Sequence, residues 1–137
     1  MTQHYLNRIT QSIIGAAIEV HKELGPGLLE NIYEKCICHI LKEKGYEVIS
    51  QQKVPLKFHG LYLDCDLRFD FLVNNAIIVE IKSVDGLLPI HMAQVLTYLK
   101  LLNKPKGVLI NFNCTNIFRE GQKTIVTKLY SELPKGY

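Results

Sequence analysis

The chain has 137 residues, 47% of them apolar, and a formal net charge of +3. That length favours one domain, residues 1–137, and that apolar fraction excludes an intrinsically disordered chain. There is no run of roughly 18 apolar residues to span a membrane, no signal-peptide core follows Met1, and the four cysteines, Cys36, Cys38, Cys65 and Cys114, lack CxxC spacing, so the expectation is a cytoplasmic protein with reduced thiols.

The helical part comes first. Ile9, Ile13, Ala16, Ala17, Val20 and Leu24 recur at spacings of three and four, predicting a helix over 7–24 that Gly25-Pro26-Gly27 ends. A second helix is expected over 28–44. Leu29, Ile32, Tyr33, Cys36, Ile37, Ile40 and Leu41 lie on its core side, and Gly45 is a C-terminal cap.

Residues 46–82 read as strands. The run 48–58 contains Pro55, which suits an edge, and His59-Gly60 turns the chain into Leu61-Tyr62-Leu63. Runs 68–73 and 76–81 flank Asn74-Asn75 as a hairpin. The second of these is apolar on both faces up to Glu80, which predicts a central strand. A loop over 83–88 leads to a third helix from Pro89 to about residue 102. Residues 107–112 then form a buried strand and 124–129 an edge strand. The order ααβββαββ predicts an α/β domain, a mixed sheet flanked by helices.

Charge is unevenly distributed. Residues 1–80 carry eight basic and ten acidic side chains, and residues 81–137 carry eight and three. A basic C-terminal part beside acids suits a polyanion held next to a metal, although solvated lysines give the same count.

The chemistry concentrates in Asp70 and Glu80-Ile81-Lys82. Residues two apart on a strand share a face, so Glu80 and Lys82 point together. Burying them costs heavily without a partner or a cation. Two carboxylates and a lysine on adjacent strands are the parts needed to hold a divalent metal and a water beside a phosphodiester. The hairpin decides whether they meet. A two-residue loop opposes residue 73 to 76 and sends the acids to opposite faces. A three-residue loop opposes 73 to 77 and 70 to 80, placing both acids on one face. On the third helix Gln94 and Tyr98 are four apart and share a side. They suit the holding of a water or a phosphate oxygen, or else a core tyrosine and a backbone-capping glutamine.

Gly27-Leu28-Leu29-Glu30-Asn31-Ile32-Tyr33, with Val20-His21-Lys22-Glu23-Leu24-Gly25-Pro26 before it, resembles the GxxExxY proteins, placed in the PD-(D/E)xK nuclease superfamily. The resemblance runs from about residue 13 to 126. Asp70 with Glu80-Ile81-Lys82 is similar to the two-part core motif, Phe69 standing where the motif has Pro. Gln94-Val95-Leu96-Thr97-Tyr98 is similar to the QxxxY motif of RecB-like members. The resemblance implies a restriction-endonuclease-like core and a metal-dependent nuclease acting on DNA. Asp70, Glu80 and the Ile81 carbonyl would hold Mg²⁺ or Mn²⁺, and Lys82 would sit by the attacking water. Glu30, on residues alone an acid favourable to a helix N-terminus, would add a ligand or hold water. His21 reads as a packed helix-end histidine, although some RecB-like enzymes draw a ligand from a helical histidine. Tyr33 is expected in the core or behind the site, and Asp64, Asp66 and Asp85 in loops. The alternatives are a module on the same fold that binds nucleic acid or protein without cutting, and an interaction protein with structural acids. So small a domain leaves room for a homodimer or a partner protein to grip a duplex.

Overall fold

The computed structural model describes residues 1–64 and 67–136; Cys65 and Asp66 lie outside the described residues. Helix α1 (Gln3–Leu24) starts earlier than the apolar spacing predicts. Thr2 Oγ1 accepts from Tyr5 N–H at 3.1 Å. The N–H groups of Gln3 and His4 donate to Pro134 and Lys135 carbonyls, both at 2.8 Å, so the C-terminal segment satisfies the first turn. The expected stripe is buried except Leu24, which lies exposed at the helix end.

Helix α2 (Glu30–Glu43) begins later than expected, and its buried face is turned by one residue. Tyr33, Glu34, Ile37, Cys38 and Leu41 are buried, while Leu29 and Ile32 are exposed. The turn before it causes this. The fully buried Tyr33 hydroxyl donates to the Gly25 carbonyl at 2.6 Å and accepts from Leu28 N–H at 3.0 Å. Its ring stacks on Phe112 with centroids 4.0 Å apart. Gly27, at φ +104, takes the backbone conformation this turn needs.

The expected long run 48–58 divides. β1 (Val48–Ser50) joins the main sheet, whereas β2 (Leu56–Phe58) pairs only with β3 (Leu61–Leu63), forming a separate two-stranded hairpin. Gln51, at φ +55, and Pro55 interrupt it. β4 (Phe71–Val73) is shorter than predicted, and β5 (Ile77–Lys82) is central. α3 (Pro89–Leu102) crosses to β6 (Lys106–Asn111), parallel to β5. A π-helical turn (Ile117–Gly121) leads into the edge strand β7 (Gln122–Val126), and the chain then forms a short helix α4 (Lys128–Ser131) where the sequence predicted more strand.

The five-stranded mixed sheet has the order β1-β4-β5-β6-β7, antiparallel except for β5–β6. α1 and α2 cover the face carrying Phe71, Val73, Ile77, Val79 and Ile81. α3 covers the other, with Phe69, Leu72, Ile78 and Leu109 beneath Val95, Tyr98 and Leu99. Gly107 permits this approach, because a Cβ there would lie 2.6 Å from Val95 Cγ1. The fold is a restriction-endonuclease-like α/β core. Cys36, Cys38 and Cys114 are free thiols. Among the described residues no helix is long and apolar enough to cross a membrane.

Candidate active site

The hairpin loop has three residues. Val73 pairs with Ile77, Leu72 with Ile78 and Phe71 with Val79. Asn74 and Asn75 occupy left-handed positions at φ +49 and +54, which asparagine tolerates better than most residues. Continued by one step, this register sets Asp70 opposite Glu80. Side chains alternate along β5, so Glu80 shares the α3 face with Ile78 and Lys82 follows it there; Asp70, one residue before β4, meets Glu80 through its own N–H.

β5 outruns β4, so residues 80–82 lack a strand partner on that side. Side chains take over. Asp70 N–H donates to Glu80 Oε1 at 2.9 Å, and Ile81 N–H donates to Asp70 Oδ2 at 2.7 Å. On the other side Phe112 N–H donates to the Lys82 carbonyl at 2.9 Å. By strand alternation the Ile81 carbonyl faces the same opening as its N–H.

Two acids share this low-dielectric corner, and their electrostatics follow. Glu80 is 5% exposed; burial, reinforced by the Asp70 charge, pushes its carboxyl up to about 8, against the opposing pull of the Asp70 N–H and Lys82. Burial also raises Asp70, partly countered by the Ile81 N–H and by Lys82. Buried Tyr98 is raised by its burial and by the charges of Glu80 and Asp70, which places its hydroxyl within their field. Gln94 Nε2 donates to that hydroxyl at 3.0 Å. Tyr98 is thus both core residue and site wall, while Gln94 sits on the exposed side of α3.

α2 approaches the same corner from the opposite layer. Glu30 is exposed at its first turn, and its Oε2 accepts from Ser83 N–H at 2.8 Å, just beyond Lys82. A cleft lined by Leu28, Leu29, Glu30, Asn31 and Ser83 opens there. Glu34, one turn on, is buried and went unnoticed in the sequence, as did its partner Gln51. Gln51 Nε2 donates to both Glu34 oxygens at 3.0 and 3.1 Å, and the amide lies near enough to Asp70 to favour its charged form. Burial raises the Glu34 carboxyl, and the Asp70 charge adds to it. The available signal was an acid four residues after Glu30, set between the apolar Tyr33 and Ile37.

His21 does not point at these acids. Its Nε2 meets the Cys114 carbonyl at 3.0 Å and its ring lies against Phe112. Asp64 pairs with Lys53 at 3.7 Å, and Asp85 lies exposed in the loop after β5.

Among the described residues no three His, Cys, Asp or Glu side chains form a metal-holding group. The donors at the opening are instead a carboxylate pair and a strand carbonyl. That set fits Mg²⁺, which keeps several waters and uses one or two carboxylates together with substrate phosphate rather than an all-protein cage.

No curated protein matches the sequence. The crystal structure of SSO0001 is similar over 71% of this chain, with a TM-score of 0.52 and 24% identity; this chain spans half the length of that one, and the likeness is one of fold. The family model of the PD-(D/E)XK nuclease superfamily matches residues 7–125, and the chain belongs to that superfamily.

Proposed function

We propose that this protein is a divalent-metal-dependent phosphodiesterase acting on DNA, of the GxxExxY and RecB-like type. Membership of a nuclease superfamily supports the reaction class. The observation that carries the reading is the three-residue turn, whose register brings Asp70 against Glu80, on the strand that also carries Lys82.

Asp70 Oδ1, Glu80 Oε2 and the Ile81 carbonyl are the oxygens that would hold Mg²⁺ or Mn²⁺. When bound, the ion supplies positive charge for the phosphate oxygens and acidifies water. The chain's own groups do the rest. The Lys82 charge acts on both carboxylates, and its ammonium would hold the attacking water and offset the charge that builds on the phosphate oxygens. The Ile81 N–H fixes the Asp70 carboxylate, Gln51 favours its charged form, and the Asp70 N–H fixes the carboxylate of Glu80. Glu30 holds water at the strand end or joins the ligand set. Gln94 and Tyr98 orient a phosphate or a water from α3.

The test is incubation of the purified protein with Mg²⁺ or Mn²⁺ and duplex, nicked, branched and single-stranded DNA and RNA. Cleavage of at least one DNA is expected. No cleavage of any, with salt-sensitive retention of DNA, would make the protein a non-catalytic binding module instead.

A further inference from the structure

The β2–β3 hairpin grows out of the acidic site. Gln51 N–H donates to the Asp70 carbonyl at 2.8 Å, Lys53 bridges to Arg68, and Val54 N–H donates to the Leu67 carbonyl at 2.7 Å. The pairing Phe58↔Leu61 then closes at His59 and Gly60, both in left-handed conformations. The pairs nearest Asp70 and those of the β2–β3 hairpin are both antiparallel. At about 3.3 Å per residue from Gln51 to His59, and about 5 Å across the Gln51–Asp70 pair, the tip lies at most about 31 Å from Asp70.

The hairpin carries large side chains into water. Phe58, Leu61 and Tyr62 are 62%, 58% and 74% exposed. Register places Lys57 with Tyr62 on one face and Phe58 with Leu61 on the other. Lys57 Nζ stands 5.0 Å from the Tyr62 ring centre, and the His59 ring meets Phe58 at 4.3 Å. Of the two lysines in residues 51–63, Lys53 pairs with Asp64, and Lys57 is the cation beside the rings. Exposed aromatic rings with the Lys57 ammonium beside Tyr62 form a surface on which unpaired bases stack while the lysine meets a phosphate. A second copy fits poorly. Three side chains bury roughly 150–250 Å² each at best, below the roughly 800 Å² per partner of a stable interface. Docking through the Tyr62 face would also bring two Lys57 ammonium groups together.

We propose that the β2–β3 hairpin is a wedge that stacks Phe58 and Tyr62 on unpaired bases and so directs the Asp70–Glu80 site to DNA whose duplex is interrupted by a fork or flap. Its binding role stands by itself; its consequence for cleavage rests on the nuclease reading. At about 3.4 Å per base pair the cut falls within about nine nucleotides of the junction.

The test is binding of the full chain, without divalent metal, to a forked DNA and a blunt duplex of equal length, each with 2-aminopurine at the junction position. Wild type is expected to bind the fork about tenfold tighter and to change the 2-aminopurine fluorescence only there. A double variant, Phe58→Ala with Tyr62→Ala, loses both effects and keeps its blunt-duplex affinity. The ring-conserving pair Phe58→Tyr with Tyr62→Phe retains them. An undiminished preference in the alanine variant, or none in wild type, overturns the proposal. So does a wild-type dimer that the alanine variant dissolves in sedimentation, which would give the surface to a second copy. Cleavage with Mg²⁺ is read separately. Cutting without hairpin-dependent binding removes the wedge alone, and hairpin-dependent binding without cutting removes the hydrolytic reading alone.

Discussion

The backbone N–H of Asp70 donates to Glu80 Oε1 at 2.9 Å, and the Asp70 carboxylate accepts from Ile81 N–H, so the two acids are tied through the main chain. The first consequence is a pH dependence of the metal-free protein. Burial and the Asp70 charge lift Glu80 from its ordinary 4.5 to about 8, so the fold retains a proton that the unfolded chain has released. This contribution to stability is complete below pH 4.5 and is lost as pH rises through 8. Asp70 and Glu34, both raised by burial, act in the same direction. Stability without metal should fall between pH 5 and about 8.5 by an amount on the order of a few kcal/mol, read as a falling melting temperature, and Glu80→Gln should flatten the curve. A melting temperature that rises over this range in both proteins would contradict the electrostatics.

Divalent metal should reverse that loss. With Asp70 and Glu80 as ligands, Mg²⁺ or Mn²⁺ binds the folded state alone and raises the melting temperature, by about 2.7 kcal/mol of stability at a hundredfold excess over Kd. Asp70→Asn should blunt the rise and raise the metal-free melting temperature by removing like-charge repulsion. Calorimetric scans at several metal concentrations check it; an equal response in both proteins would exclude this pair as the site.

The turn is testable by backbone chemistry. Asn75 stands at φ +54. Asn75→Gly should be close to neutral, whereas Asn75→Ala should cost about 1 kcal/mol in urea denaturation, because alanine resists the left-handed region. Equal stability of the two would mean that the turn does not set the register.

Tyr33 links the Gly25–Leu28 turn to the site. Tyr33→Phe keeps the stack on Phe112 but strands the Leu28 N–H and the Gly25 carbonyl. It should cost about 1–3 kcal/mol and weaken the hold on Glu30, seen as slower cleavage at unchanged metal affinity. Wild-type stability in this variant would show that water replaces the hydroxyl.

The three long helices, the central strand and the pairing of Glu80 with Lys82 were legible because each follows from local pattern: helical spacing, a continuous apolar strand, and an acid and lysine two apart. Turn length was not, since Asn74-Asn75 suits loops of two or three residues and only Ala76, whose N–H donates to the Val73 carbonyl at 3.0 Å, settles the count. The division of 48–58 was hidden because Gln51 carries no turn signature. Glu34 and Gln51 were missed because each looks ordinary without the other, 17 positions away. Leu29 and Ile32 counted as core by hydrophobicity, but the Tyr33 anchor rotates α2 and leaves them in solvent.

The most direct measurement follows Mn²⁺ binding and DNA cleavage together in wild type, Lys82→Ala and Glu80→Ala. Wild type should bind Mn²⁺ and cut. Lys82→Ala should bind Mn²⁺ with nearly the same affinity and cut nothing, because an ammonium is no ligand yet serves the attacking water. Glu80→Ala should lose both. Cleavage by Lys82→Ala at the wild-type rate, or a wild type that neither binds Mn²⁺ nor cuts, would contradict the assignment of this corner as a metal-dependent hydrolytic centre.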